Sequence, residues 1–77
     1  MKIEEFEQIA KENDYVRNGN KLQYIRQFDP NGFATNSIAI IPDVKDCISL
    51  NIKFCDKKDI KVIKAAVKVA ETALKNR

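Results

Sequence analysis

Lys57, Lys61, Lys64, Lys68 and Lys75 recur at steps of three, four and seven residues. On a helix turning about 100° per residue they share an arc of roughly 60°. At ~1.5 Å rise per residue the stripe would be about 27 Å long. Lys57/Lys61 and Lys64/Lys68 are like-charged i,i+4 pairs, and each such pair weakens a helix by a few tenths of a kcal/mol. Only Glu71, four residues before Lys75, offers a carboxylate on the same stripe. A face of this kind is solvated, docks on an acidic protein or grips a phosphate backbone. Either partner would compensate the repulsion; a solvated face ranks first, an acidic protein second and nucleic acid third.

Catalytic chemistry has little to work with. The chain has no histidine, so Cys-His and Ser-His pairs are excluded. A lysine-activated serine would need Ser49 and Lys53, which share a strand face but stand roughly 13 Å apart along it. Pro42-Asp43 ahead of a strand resembles the opening of a metal-dependent nuclease motif. That motif needs an acid two positions before the strand lysine, and Asn51 stands there before Lys53. The only glycines are Gly19 and Gly32, so no glycine-rich phosphate loop exists. Without histidine, Cys47 and Cys55 cannot complete a zinc site. The expectation is a protein that is not an enzyme and carries no cofactor or metal.

The two cysteines stand at opposite ends of one apparent strand, roughly 26 Å apart. A disulfide needs Cα atoms within about 7 Å. Two reduced, partly buried and inert thiols are expected, which suits a cytosolic protein. Met1-Lys2-Ile3 leads into glutamates rather than an apolar run, so no secretory signal is expected. No stretch approaches the ~20 apolar residues of a membrane span.

Seventy-seven residues make one domain, residues 1–77. A chain this short buries only about 60% of its unfolded surface, so a substrate-enclosing cleft would come out of its single core. The net charge of +3 is unevenly spread. Residues 1–14 hold two lysines against five acids, a net −3, and residues 57–77 hold seven cations against two acids, a net +5.

Hydrophobic periodicity supplies the elements that position the lysines. Ile3, Phe6, Ile9 and Ala10 fall on one face of a helix from about Ile3 to Asn13. Tyr15-Val16-Arg17 is a possible short strand, and Asn18-Gly19 signals a turn. Lys21 to Phe28 reads as a strand in which Arg26 breaks the apolar face of Leu22, Tyr24 and Phe28. Asp29-Pro30-Asn31-Gly32 suits a hairpin turn. Phe33 to Ile41 returns as a central strand, apolar on both faces. Tyr15, Tyr24, Phe28 and Phe33 are read as core packing rather than base-stacking aromatics.

Cys47 to Cys55 alternates cleanly, with Ile48, Leu50, Ile52 and Phe54 inward. Asp56 is placed to cap a last helix from Lys57 to about Asn76. Its apolar face is centred on Ile60, Ile63, Val67, Ala70 and Leu74, flanked by Val62, Ala66, Val69 and Ala73. Ile63, Val67, Ala70 and Leu74 are expected to face Phe6, Ile9 and the Ile48-Leu50-Ile52-Phe54 row. The expected fold is α+β in the order α-β-β-β-α, a three-stranded antiparallel sheet with two helices on one face.

That order resembles a double-stranded RNA-binding domain, whose last helix opens with Lys-Lys-x-Ala-Lys. Lys57-Lys58-Asp59-Ile60-Lys61 is similar to that signature, and the resemblance implies a phosphate grip. The loop that reads Gly-Pro-x-His in that family is Asp29-Pro30-Asn31-Gly32 here. A second resemblance lies at the two ends. Met1-Lys2-Ile3-Glu4-Glu5-Phe6 resembles the opening of small accessory proteins from phages and prophages of low-GC Gram-positive bacteria. Ala70-Glu71-Thr72-Ala73-Leu74-Lys75-Asn76-Arg77 is similar to their ending, with Ala73 where proline is common. This resemblance implies a binding protein in the host bacterial cytosol that occludes a host macromolecule, as anti-CRISPR and other anti-defence inhibitors do. A host protein is the expected partner, a nucleic acid the alternative, and no membrane is involved.

Overall fold

Lys2 begins helix α1 (Ile3–Glu12) in extended geometry, and its amide donates to Glu5 Oε1 at 3.4 Å. Glu4 and Glu5 occupy the first turn, where the helix dipole favours anions. The helix ends in a Schellman arrangement. The Tyr15 amide reaches back to the Ala10 carbonyl at 2.9 Å, and Asp14 takes φ +68°. Phe6 and Ala10 are buried, with Ile3 packed against the same core.

The computed structural model describes residues 1–28 and 34–77. The sheet has four antiparallel strands in the order β1-β2-β3-β4 rather than three. The extra strand is the short β1 (Val16–Arg17), which pairs with β2 (Gln23–Gln27) as Val16 opposite Ile25 and Arg17 opposite Tyr24. Gly19, at φ +60°, lies in the connection between them. β3 (Thr35–Ile40) is central and pairs with β2 as Tyr24 opposite Ile38. The expected Asp29-Pro30-Asn31-Gly32 turn, with Phe33, lies outside the described residues.

β4 (Ile48–Asn51) is an edge strand, shorter than the expected Cys47–Cys55 run. The cause is Asn36, one step beyond the last β3–β4 pair, Ser37 opposite Asn51. Its Oδ1 accepts from the Lys53 amide at 2.7 Å, and its Nδ2 donates to the Phe54 carbonyl. A side chain thus takes over where the backbone ladder would have continued.

Helix α2 (Lys57–Glu71) starts at Asp56, whose side chain accepts from the amides of Lys58 and Asp59. Its buried residues are Asp59, Val62, Ala65, Ala66, Val69 and Ala70. Ile60, Val67 and Leu74 remain 43%, 41% and 45% exposed, so the expected core face is rotated. Asp59 sets the phase. It is fully buried and held by partners on three other segments, and Val62, Ala66 and Val69 follow it three, seven and ten residues later. Alanines on the inner face let the helix pack closely.

α2 also stops earlier than expected. Thr72 is extended, and Leu74–Asn76 form a separate 3-10 turn. Arg77 folds back over this end and donates to the carbonyls of Ala70, Ile41 and Val44.

The core joins one face of the sheet to both helices: Tyr24, Ile38 and Ile40 against Phe6, Ala10, Val62, Ala66 and Val69. Tyr24 stacks on Phe6 with ring centroids 4.8 Å apart. Leu50 sits opposite Ile38 and so shares the helix-covered face. It is nonetheless 46% exposed, because β4 lies at the margin of the sheet, and Phe54 is 59% exposed. The expected burial of Leu50, Phe54, Val67 and Leu74 is therefore corrected. Cys47 and Cys55 are unbridged and exposed rather than partly buried.

Candidate functional site

The charged residues of α2 fall into two sets. The first surrounds the head of the helix. Asp59 Oδ1 accepts from the Tyr15 hydroxyl at 2.7 Å and from Asn36 Nδ2 at 3.0 Å. Its Oδ2 accepts from Arg26 at 2.9 Å and from the Asp56 amide at 2.9 Å. Arg26 also grips Asp56 through two hydrogen bonds, at 2.9 and 3.1 Å, and its guanidinium lies 4.6 Å from the centre of the Phe28 ring. Paired fork-to-carboxylate bonds of this kind are the strong ones. They hold the Asp56 carboxyl well below the usual carboxylate range. Burial and the adjacent Asp59 carboxylate raise the Tyr15 phenol well above its ordinary value.

This cluster has the ingredients of acid–base chemistry but not the access. Asp59 is fully buried and Tyr15 nearly so. No buried side-chain polar atom among the described residues lacks a hydrogen-bond partner. The cluster ties the segment just after α1, β2, β3 and the start of α2 together. A second such tie links Tyr24 to Glu7, whose Oε1 accepts from the tyrosine at 2.8 Å and from Arg17 at 2.7 Å.

The second set is the lysine stripe. Lys57, Lys61, Lys64 and Lys68 all lie on α2 and are exposed, whereas Lys75 falls in the 3-10 turn beyond it. The continuous stripe is therefore shortened to about 17 Å, at ~1.5 Å per residue. Among the described residues none of these four lies within ion-pair distance of a carboxylate. Lys58, outside the stripe, is engaged by Asp14 at 2.7 Å, and that contact lowers the Asp14 carboxyl below its ordinary value.

Lys61, Lys64 and Lys68 line a shallow groove of about 480 Å³ between the two helices. Met1, Ile9, Glu12, Asn13 and Ala65 supply the rest of its wall. The sequence shows the lysines but not this groove, because α1's partly buried Ile9 reads there as an ordinary core residue. The Asp59 cluster also goes unrecognised in the sequence, although Arg26 interrupting an apolar strand face was its signal.

Among the described residues no group of three or more His, Cys, Asp or Glu is placed to hold a metal ion. No helix among them is long and apolar enough to cross a membrane. Comparison with protein-family models, curated proteins and solved structures gives no match to this chain.

Proposed function

We propose that this chain is a non-enzymatic binding protein, an accessory of a phage or similar mobile element, that acts in the host bacterial cytosol by occluding a host protein. The observation that carries the reading is the groove between α1 and α2, with three uncompensated lysines along one side and Met1 and Ile9 within it. Its complement is an acidic protein segment that also offers an aliphatic side chain. Carboxylates would relieve the repulsion along α2, and the apolar contact would add affinity that charge alone does not supply. The likeness of both chain ends to phage accessory proteins supports the mobile-element setting, and anti-CRISPR or other anti-defence inhibition belongs to that setting.

The rival is a nucleic-acid module of the double-stranded RNA-binding kind. The lysine-rich head of α2 favours it. Two features disfavour it. The exposed Asp56 stands at the head of α2, and Lys58 is already paired with Asp14. The first would repel a phosphate and the second is not free to hold one.

The test is capture from a lysate of a low-GC Gram-positive host, with and without nuclease, by the wild-type chain and by Lys61→Gln/Lys64→Gln/Lys68→Gln. A protein retained through nuclease treatment and lost with the triple variant is the expected result. Capture that vanishes with nuclease supports the rival. Equal capture by both chains would make the lysines a solvated face only.

A further inference from the structure

The opposite flank of α2 carries a different surface, and nothing in the lysine reading accounts for it. Ile60 and Val67 are 43% and 41% exposed, and Leu50 on the neighbouring β4 is 46% exposed. Val67 and Ala70 share a groove with Cys47 and Ile48, so this apolar stripe runs beside the open edge of the sheet. The two edges of the sheet are not alike. β1 is two residues long, and its Arg17 is drawn into an ion pair with Glu7. β4 and the residue after it, Ile48 to Ile52, carry no charge at all. An uncharged apolar edge with free backbone groups is a template for another strand.

We infer that β4 pairs with β4 of a second copy, antiparallel about a two-fold axis, which would join two four-stranded sheets into one of eight. Such an axis perpendicular to the sheet keeps both pairs of helices on the same face. Residues directly opposite each other must then have the same inward or outward phase. The register centred on Leu50 meets this condition. It sets Leu50 against Leu50 of the second copy and Ile48 against its Ile52, while Ser49 meets Asn51 on the outer face. The apolar stripes of the two α2 helices then close over the junction, and Lys61, Lys64 and Lys68 remain on the far flanks, beside α1.

Charge points the same way. Asp46 and Glu71 stand at the groove where β4 begins, while Lys57 follows its end. Asp46 has Lys45 at 3.9 Å, but Glu71 has no cation within ion-pair distance among the described residues. Antiparallel pairing carries the acidic end of each copy to the basic end of the other. A self-complementary patch of this form is what an isologous dimer requires.

The test is site-directed cross-linking of the whole chain with Cys47→Ser and Cys55→Ser already in place. Leu50→Cys sets two thiols opposite each other, with Cα atoms about 4.5–5.5 Å apart across an antiparallel ladder and within reach of a disulfide. Mild oxidation in dilute solution should give a covalent dimer, whereas Val16→Cys at the other sheet edge should stay monomeric. Sedimentation should show the wild-type chain dimerising through the micromolar range. Leu50→Lys, which opposes two like charges across the junction, should weaken the dimer at least about tenfold. Val67→Lys should do the same from the helix side, and both should keep the wild-type circular dichroism. A wild-type chain that stays monomeric throughout, or Val16→Cys cross-linking as readily as Leu50→Cys, would overturn the proposal.

Discussion

Asp59 and Lys61 lie two residues apart on α2 and live in opposite surroundings. Asp59 is fully buried, and both of its carboxylate oxygens are occupied by Tyr15, Asn36, Arg26 and the Asp56 amide. Lys61 is exposed and has no carboxylate within ion-pair distance among the described residues. In a low-dielectric interior a charge persists only if it is paired and hydrogen-bonded, so the first is committed to the fold. A lysine held in water beside other lysines contributes nothing comparable to the fold. One helix thus divides its charge between holding the molecule together and meeting something outside it.

The contrast breaks most visibly at Arg26. Arg26→Met removes the cation from Asp59 and leaves a buried carboxylate without its counter-charge, which costs about 3–5 kcal/mol. A chain of this size has only roughly 4–12 kcal/mol in total, so urea unfolding should shift far to lower denaturant. Next comes a pair facing each other across the ladder. Ile38→Ala empties a fully buried site and should cost about 2–5 kcal/mol in the same assay. Leu50→Ala, opposite it but 46% exposed, should cost clearly less in dilute monomer. Equal losses would mean that Leu50 is covered.

The pH dependence sharpens the same division. Asp56 and Asp14 have their folded-state values lowered, by Arg26 and Lys58 respectively. Their contribution is present above the ordinary carboxylate range, near pH 4, and is lost as pH falls below it. Tyr15 and Tyr24 are shifted upward, by burial and then by Asp59 and Glu7. Their contribution is complete below about pH 10 and is lost as pH rises beyond it. Stability by denaturant titration should therefore fall at both ends of the range. Tyr15→Phe should flatten the alkaline limb while leaving the acid limb in place.

Much of the fold was legible because periodicity reports which side of an element is apolar. The inward phase of Ile48 and Leu50, the face of α1 and the Asp56 cap all follow from spacing alone, whereas β3, apolar on both faces in the sequence, turns Ile38 and Ile40 inward only in the fold. Periodicity does not report where a sheet ends, so it predicts a buried Leu50 where the residue is only inward. Nor does it choose between two apolar halves of one helix. In α2 a buried charge made that choice: Asp59 turned Val62 and Val69 inward and left Ile60 and Val67 outside. Val16 and Arg17 are legible as a short strand before the Asn18-Gly19 turn, but that they join the sheet as its fourth member depends on β2, which offers them a partner. The lysine positions were visible in the sequence, but the groove beside them depends on how closely α1 and α2 approach.

The most direct test of this division is urea unfolding of Lys61→Gln/Lys64→Gln/Lys68→Gln against the wild-type chain at low salt. Exposed charges contribute little to stability, and this variant relieves like-charge contacts such as Lys64 with Lys68. The unfolding free energy should stay equal or rise by a few tenths of a kcal/mol. A fall of more than about 1 kcal/mol would contradict the account, because it would make the lysines part of what holds the fold.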